Sequence, residues 1–308
     1  MSDASLAVSV GGLRLSSPLL TASGTFGHDP AALALLDPAD LGALVLKTVT
    51  PEPRPGNPPP RMAEFRGGVL NSIGLENKGL DYWRETVAPQ LERVPVPVVA
   101  NAGGHRIADY VAVTTAFDAM AGVAAVELNL SCPNVDGGTR FATDPGALRE
   151  VVAACREATA KPLWAKLSPE VSDVASLARA AEAGGADALT VCNTMRGLLV
   201  DWRARRPRLG GGTGGMSGPA IKPLALRLVW EASRACELPV VASGGCQSAE
   251  DVLEFVVAGA AAVQIGTAAF RRPDLFSIVA RDLRGLLEEE RVGLEELRAT
   301  LEPSPPVS

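Results

Sequence analysis

The chain has 308 residues, 47% of them hydrophobic and 4% aromatic, and a formal net charge of −6. This charge disfavours a nucleic-acid surface, and no apolar run is long enough to span a membrane. The N-terminus lacks a basic segment followed by an apolar one, so we expect no signal peptide and a cytoplasmic protein. Five cysteines without a C-x-x-C pair and two histidines, His28 and His105, indicate neither a disulfide framework nor a metal site.

Short apolar runs recur along the chain, each bounded by Gly, Pro or polar residues, with amphipathic stretches between them. Strand–helix alternation repeated eight times predicts an α/β fold, a (β/α)8 TIM barrel, in a single domain over residues 1–308. A doubly wound open sheet is the alternative. The predicted strands are Pro18–Ala22, Ala43–Lys47, Pro97–Ala100, Val123–Asn129, Pro162–Leu167, Asp187–Cys192, Pro239–Ser243 and Ala261–Ile265.

Other segments carry local signals. Leu6–Leu15 is predicted to form a hairpin across the barrel bottom, and residues 302–308 form a Pro-rich, frayed tail. Long insertions, at about residues 51–80 and 196–222, follow the second and sixth strands, where long loops usually carry function. We interpret Gly210–Gly218 as a loop leading into a helix from Pro219. Three helix starts are predicted: Asp144-Pro145 before Gly146–Thr159, Ser172 before Asp173–Ala183, and a capping box at Ser248 before Val252–Ala258.

The carboxyl ends of barrel strands converge on one site, and here every one of them is polar or glycine. Lys47 and Lys166 each end an apolar strand, which indicates anionic ligand groups or a negative charge that develops during reaction. A rim lysine with its stem on apolar surface is the structural alternative for either one alone. The strand ends are Ser23-Gly24, Lys47-Thr48, Asn101, Asn129, Lys166, Asn193-Thr194, Gly244-Gly245 and Gly266-Thr267.

The last two strand ends are typical of a phosphate site. Barrels commonly bind phosphate after strands seven and eight, through backbone N–H groups and a short helix. The segment Gly210–Gly218 lacks P-loop spacing, although Gly218 is a candidate for the same phosphate. We therefore expect a phosphate-bearing cofactor there, with a planar, amide-rich substrate opposite.

The segment Glu127–Asn134 delivers two amides and a thiol to the end of the fourth strand. A lone cysteine near a strand end is more often a small buried hydrophobe. In this company, Cys132 is instead the candidate base, because a thiol pKa of about 8.5 can be tuned by its neighbours.

Five stretches together resemble dihydroorotate dehydrogenase, most closely its class 1B, the catalytic subunit of the NAD-linked enzyme. They are Gly56–Arg61, Leu70–Asn77, Asn129–Asn134, Thr213–Pro223 and Gly244–Ala268. The resemblance implies FMN at the barrel mouth and oxidation of dihydroorotate to orotate in pyrimidine synthesis. Cys132 would remove the C5 proton, and Lys166 would stabilise the reduced ring.

The resemblance also implies the remaining site residues. Substrate contacts would come from Lys47, Asn71, Ser72, Ile73, Gly74, Leu75, Asn129, Asn134, Asn193 and Thr194. Cofactor contacts would come from Ser23, Lys47, Thr48, Asn101, Asn129, Lys166, Cys192, Gly218, Gly244, Gly245, Gly266 and Thr267.

The class implies partners as well. With no dinucleotide fingerprint and no cysteine cluster in this chain, electrons would pass to a separate subunit carrying FAD and an iron–sulfur centre, and the family usually forms homodimers. Alternatives are a uracil- or thymine-reducing relative, a fumarate-using class 1A enzyme, a non-redox lyase with a Schiff base on Lys166, and a barrel that binds FMN or a partner without turnover. Lys47, suited to a substrate carboxylate, favours orotate.

Overall fold

The computed structural model describes residues 5–28, 36–130 and 139–302. Its strands are β1 Val8–Val10, β2 Leu13–Leu15, β3 Leu19–Thr21, β4 Leu44–Val45, β5 Met62–Phe65, β6 Gly68–Asn71, β7 Val98–Ala102, β8 Ala125–Asn129, β9 Leu163–Lys166, β10 Ala188–Val191, β11 Met195–Gly197, β12 Val200–Asp201, β13 Arg206–Pro207, β14 Gly214–Ser217, β15 Val240–Ser243 and β16 Ala260–Ile265.

The α-helices flank these strands, and a π-helical turn, Trp83–Val87, joins the first two. They are α1 Gly79–Tyr82, α2 Ala88–Leu91, α3 Ile107–Asp118, α4 Thr139–Thr143, α5 Pro145–Glu157, α6 Val174–Ala183, α7 Lys222–Ser233, α8 Ala249–Val257, α9 Thr267–Arg271, α10 Leu275–Glu290 and α11 Leu294–Leu297.

Eight parallel strands form the barrel in the order β3-β16-β15-β10-β9-β8-β7-β4. A parallel bridge between Leu20 and Ala43 joins the first strand to the last and closes the ring. The strands are apolar on both faces because one face fills the barrel and the other packs against helices. Each predicted strand matches one of these eight, so the predicted TIM barrel is confirmed, and the open sheet is wrong.

The helix-start signals hold in two cases of three. The Asp144 carboxylate accepts hydrogen bonds from the backbone of Gly146 and Ala147, and the Ser248 hydroxyl accepts one from Asp251. The cap of α6 is Asp173, whose carboxylate accepts from Ser176 N, so the prediction of Ser172 is wrong by one residue. Serine and aspartate are both good N-cap residues, and only the backbone geometry selects between Ser172 and Asp173.

The N-terminal hairpin β1–β2 lies at the bottom of the barrel, as predicted. A Cβ on Gly11 in its turn would come within 2.9 Å of Asp187 O and of Ala188 Cβ, where β10 begins. The hairpin therefore sits at the end opposite the carboxyl ends of the strands. This leaves the other end of the barrel for the site.

A second sheet crosses the barrel mouth. It is antiparallel, in the order β11-β14-β6-β5, and combines both predicted insertions. The expectation that Gly210–Gly218 is wholly loop is wrong, because Gly214–Ser217 pairs with β6 on one side and β11 on the other. In this setting neighbouring strands determine the conformation rather than local propensity.

Among the described helices, none has the length and apolar character needed to cross a membrane. The C-terminal residues 303–308, which include nearly all of the predicted frayed tail, lie outside the described residues.

Candidate active site

A large pocket opens between the carboxyl ends of the barrel strands and the mouth sheet. The space between its walls is about 1600 Å3, including the part open to solvent. Clefts at the carboxyl ends of barrel strands are the usual ligand sites of this architecture.

Lys47 lies on one wall, two residues beyond β4. Its Nζ donates a hydrogen bond of 2.8 Å to Glu76 Oε2 on the segment after β6. This contact lowers the pKa of Glu76, so the carboxylate stays charged below its usual range. The lysine side chain is 19% exposed and that of Glu76 44% exposed, which makes the pair accessible to a ligand.

Lys166 ends β9 and lies deeper, with 4% of its side chain exposed. Its Nζ donates to Ser23 Oγ at 3.0 Å and to Gln264 Oε1 at 3.5 Å, and lies 3.9 Å from Glu127 Oε1. A buried cation is tolerated only when it is paired or hydrogen-bonded in this way. The floor of the pocket therefore carries a fixed positive group.

Glycines form the wall on the side of β15 and β16. Gly244 and Gly245 follow β15 with φ of 136° and 83°, a region that favours glycine. A Cβ on Gly245 would lie 2.8 Å from the backbone nitrogen of Lys222, so the loop packs directly against the start of α7. Gly266 directly follows β16, and Thr267 begins the short helix α9. This wall presents backbone rather than side chains, as a phosphate site requires.

Amides line the opposite side. Asn193 Nδ2 donates to Asn129 Oδ1 at 3.1 Å, and Thr194 N donates to Asn193 Oδ1 at 2.8 Å. Asn71 at the end of β6 donates to Gly215 O across the mouth sheet at 3.0 Å. Tyr110 OH donates to the backbone oxygen of Asn129 at 2.8 Å and fixes the end of β8. These contacts hold planar polar groups in set orientations.

The thiols in this region differ from a catalytic base. Burial raises the pKa of Cys192 to about 12, and that of Cys246 is also raised. Both line the pocket as neutral groups at physiological pH. The candidate base Cys132 and the candidate ligand Asn134 lie in 131–138, outside the described residues.

The pocket brings most of the predicted site residues together. Two lie behind it: Ser72 is buried and accepts a hydrogen bond from Asn57 Nδ2, and Asn101 is buried beneath Thr48. The predicted residues that line the pocket are Ser23, Lys47, Thr48, Asn71, Ile73, Gly74, Leu75, Asn129, Lys166, Cys192, Asn193, Thr194, Gly218, Gly244, Gly245, Gly266 and Thr267.

Several further residues line the pocket that were not among the predicted ones. Gln264 carries a detectable signal, because a polar residue inside an apolar strand must find a partner. Ser217 accepts a hydrogen bond from Thr267 Oγ1 at 2.7 Å, and Met62 and Phe270 contribute exposed apolar surface at the rim. These three come from the mouth sheet and α9, and no local pattern places them at the site.

The closed barrel, whose pocket is lined by two lysines and several glycines at the carboxyl ends of its strands, defines a (β/α)8-barrel enzyme. A family model described as dihydroorotate dehydrogenase matches residues 5–287. The chain belongs to the dihydroorotate dehydrogenase family, and the resemblance is confirmed.

Individual relatives agree. The chain is 47% identical over 288 residues to dihydroorotate dehydrogenase B (NAD(+)), catalytic subunit, of Trichlorobacter lovleyi, covering 93% of this chain and 95% of that one. It is 46% identical to the protein of the same name from Geobacillus kaustophilus, covering 94% and 92%. Among solved structures, DHODH of Eimeria tenella in complex with ferulenol has a similar fold, with a TM-score of 0.78 at 23% identity over 94% of this chain and 88% of that one.

Proposed function

We propose that this chain is the catalytic subunit of an NAD-linked dihydroorotate dehydrogenase and oxidises dihydroorotate to orotate in pyrimidine biosynthesis. The observation that carries the proposal is the pocket itself. In a chain of this family, the pocket sets two lysines and a cluster of amides beside a glycine wall. The relatives at 45–47% identity bear the name of this enzyme and subunit.

The substrate end of the site is the side of Lys47. Orotate and dihydroorotate carry a carboxylate, which the Lys47 ammonium can pair, and a ring whose N–H and C=O groups match amides. Asn71, Asn129, Asn193 and Thr194 supply such groups in fixed orientations. Ile73, Gly74 and Leu75 line the same pocket.

The cofactor end is the side of Lys166 and the glycine wall, and the family is one of flavoenzymes. We assign FMN to this end, because its phosphate fits backbone N–H groups at the glycines and its ring would meet Lys166. When bound, FMN supplies the acceptor for the hydride that leaves C6 of dihydroorotate. Lys166, held by Ser23 and Gln264, places positive charge where the reduced ring is anionic.

Cys132 is the proposed base. It takes the proton from C5 while the C6 hydride leaves, so that a C5=C6 double bond forms. Burial raises the pKa of all four described thiols, that of Cys155 to about 11 and that of Cys192 to about 12, with Cys236 and Cys246 raised as well, so none of them supplies a thiolate at neutral pH. This leaves Cys132, five residues after Glu127 in the motif at the end of β8, as the candidate.

A partner subunit belongs to the proposal. The relatives' name, catalytic subunit, implies a further subunit for the NAD linkage. We infer that this subunit carries FAD and an iron–sulfur centre and that the catalytic chains form a homodimer. We place the assembly in the cytoplasm, where we expect its bacterial relatives to act.

An anaerobic titration of the purified chain with dihydroorotate tests the function. Visible absorbance that bleaches with one equivalent of dihydroorotate per flavin supports flavin, substrate and hydride transfer together. A yellow protein that bleaches with dihydrouracil or dihydrothymine instead would contradict the substrate. A colourless protein that gains no colour with added FMN would contradict the cofactor.

A further inference from the structure

Glu127 is a carboxylate in the barrel interior for which the reaction above has no use. It lies in β8, two residues before Asn129, and has no solvent exposure. It accepts hydrogen bonds from Asn101 Nδ2 at 2.6 Å, Thr190 Oγ1 at 2.6 Å and Gln264 Nε2 at 2.8 Å. A buried carboxylate is costly unless its oxygens are satisfied in this way, so three other strands are committed to it.

The carboxylate determines the direction of the bonds that leave it, because an ionised carboxylate can only accept. Asn101 must turn its NH2 toward Glu127, so its oxygen faces the other way and accepts from Thr48 Oγ1 at 2.5 Å. A hydroxyl has one hydrogen, and Thr48 has used it. The Thr48 oxygen therefore accepts from Asn129 Nδ2 at 3.0 Å.

The same direction continues to the substrate side. Asn129 turns its NH2 toward Thr48, so its oxygen faces Asn193 and accepts from Asn193 Nδ2 at 3.1 Å. Asn193 then points its oxygen at the backbone N–H of Thr194, at 2.8 Å. We call this series Glu127–Asn101–Thr48–Asn129–Asn193 the amide relay. In each of these four bonds the donor is the residue farther from Glu127 along the series.

A second set of bonds starts at the same carboxylate. Gln264 donates to Glu127 through Nε2, so its Oε1 faces Lys166 Nζ at 3.5 Å. Reversed, Gln264 would turn its NH2 toward the ammonium of Lys166, and both groups donate only. Glu127 thus also keeps an acceptor on the lysine that we assign to the flavin.

Shape alone does not determine these orientations. The two ends of an amide have almost the same size, and a half-turn exchanges donor and acceptor at nearly unchanged positions. The relay is therefore the physical reason why Asn129 and Asn193 present one edge rather than the other to the pocket. A pyrimidine ring has N–H and C=O groups in a fixed pattern. A reversed amide would therefore place a donor against a donor or an acceptor against an acceptor.

We propose that Glu127 is a positioning residue that fixes the donor and acceptor edges of Asn129 and Asn193 and so sets the affinity of the site for pyrimidine carboxylates. The identity of the ligand rests on the proposed function, whereas the relay itself does not. Glu127 acts through Asn101 and Thr48, not by contact with the ligand.

The test compares orotate binding to wild type, Glu127→Gln, Thr48→Val and the double variant, read from the visible spectrum of the bound flavin. A glutamine can donate as well as accept, so it no longer imposes one direction on the relay. One mismatched hydrogen bond weakens binding by roughly 5- to 150-fold, and we expect a loss in this range for Glu127→Gln. Glu127 and Thr48 belong to one series, so a second break in it should have no further effect. The double variant should therefore bind orotate no more weakly than whichever single variant binds it more weakly.

Thr190→Val is the matched control. It removes another donor to the same carboxylate but lies on no path to Asn129. We expect it to lower the unfolding midpoint while orotate affinity stays within twofold of wild type. Three results would each overturn the relay. The first is an orotate affinity of Glu127→Gln within twofold of wild type, and the second is a loss of affinity in the double variant equal to the product of the two single losses. The third is a loss of orotate affinity in Thr190→Val as large as that in Glu127→Gln.

Two further measurements keep the result decisive. If Glu127→Gln does not fold, Asn101→Leu breaks the same series at a residue behind the pocket. Its orotate affinity should fall, and combining it with Thr48→Val should lower the affinity no further than the single variant with the lower affinity. Unfolding by denaturant without ligand gives a readout independent of function. In it, Glu127→Gln and Thr48→Val should shift the midpoint non-additively, because Asn101 joins the two residues. A wild-type protein that binds no orotate would refute the proposed function, and additive midpoints would refute the relay.

Discussion

The ion pair between Lys47 and Glu76 gives the sharpest prediction for substrate affinity. Lys47 Nζ donates a hydrogen bond to the Glu76 carboxylate at 2.8 Å. A substrate carboxylate at Lys47 has to compete with the one already there. We therefore expect Glu76→Gln, which keeps the shape and removes the charge, to tighten the binding of dihydroorotate and orotate.

The structure sets the size of the effect. With 44% of the Glu76 side chain exposed, the pair is screened by water, and exposed pairs contribute about 0.2–1 kcal/mol. Lys47 is more buried, at 19% exposed, which favours the upper end of that range. A difference of about 1 kcal/mol corresponds to a factor of about five in affinity. The gain should shrink as salt rises, because both carboxylates are then screened.

The assay is the dihydroorotate KM and the orotate Kd of Glu76→Gln at low and high ionic strength. Glu92→Gln is the control, because Glu92 is exposed directly after α2, does not line the pocket and loses the same charge. Lys47→Ala should weaken orotate binding and slow flavin reduction. A Glu76→Gln protein whose KM matches that of Glu92→Gln, or rises above wild type, would refute the competition.

Three further outcomes follow from single residues. Cys132→Ser should keep its FMN and lose most activity near pH 7, since a serine hydroxyl is a far poorer base than a thiolate; comparable rates at pH 7 would exclude Cys132 as the base. Gly245→Ala should lower FMN affinity at least tenfold, because the φ of Gly245 is 83° and the added Cβ would lie 2.8 Å from Lys222 N. Equilibrium titration of the apoprotein with FMN measures this affinity. An unchanged Kd would count against a phosphate site at Gly245. Burial beside Lys47 lowers the pKa of His28 from 6.5 to about 4, so the unfolded chain binds the extra proton between these values and stability falls as pH drops from about 6.5 to about 4. As pH falls through that window, the free energy of unfolding measured in urea should decrease by up to about 3 kcal/mol less for His28→Gln than for wild type. If the free energies of the two proteins fall in parallel with pH, His28 is not the group responsible.

The barrel could be predicted from the sequence because its elements are set locally. A strand buried on both faces must be apolar along its length, and each such run ends in a turn or cap with its own residue signals. Eight runs separated by amphipathic helices leave few topologies, and right-handed crossovers bring all carboxyl ends to one side. Lys47 and Lys166, some 120 positions apart, were thus expected at one pocket, where the structure places them.

The mouth sheet could not be predicted in the same way. Its strand Gly214–Ser217 is mostly small residues without apolar alternation, and it becomes a strand only because Asn71, Leu70 and Val69 of β6 lie beside it. The two segments are about 145 residues apart. Their pairing is decided by where the barrel puts its second and sixth strand ends, which no local pattern records.

The sequence by itself determined which residue types reach the site, because strand order and burial follow from periodicity and composition. Only the tertiary structure decided how those residues act on one another. In the sequence, Glu127 is a single polar residue inside an apolar strand. Its role becomes visible only in the structure, where Asn101, Thr190 and Gln264 donate hydrogen bonds to it from three other strands. Hydrogen bonds have direction, and direction depends on neighbours in space rather than neighbours in the chain.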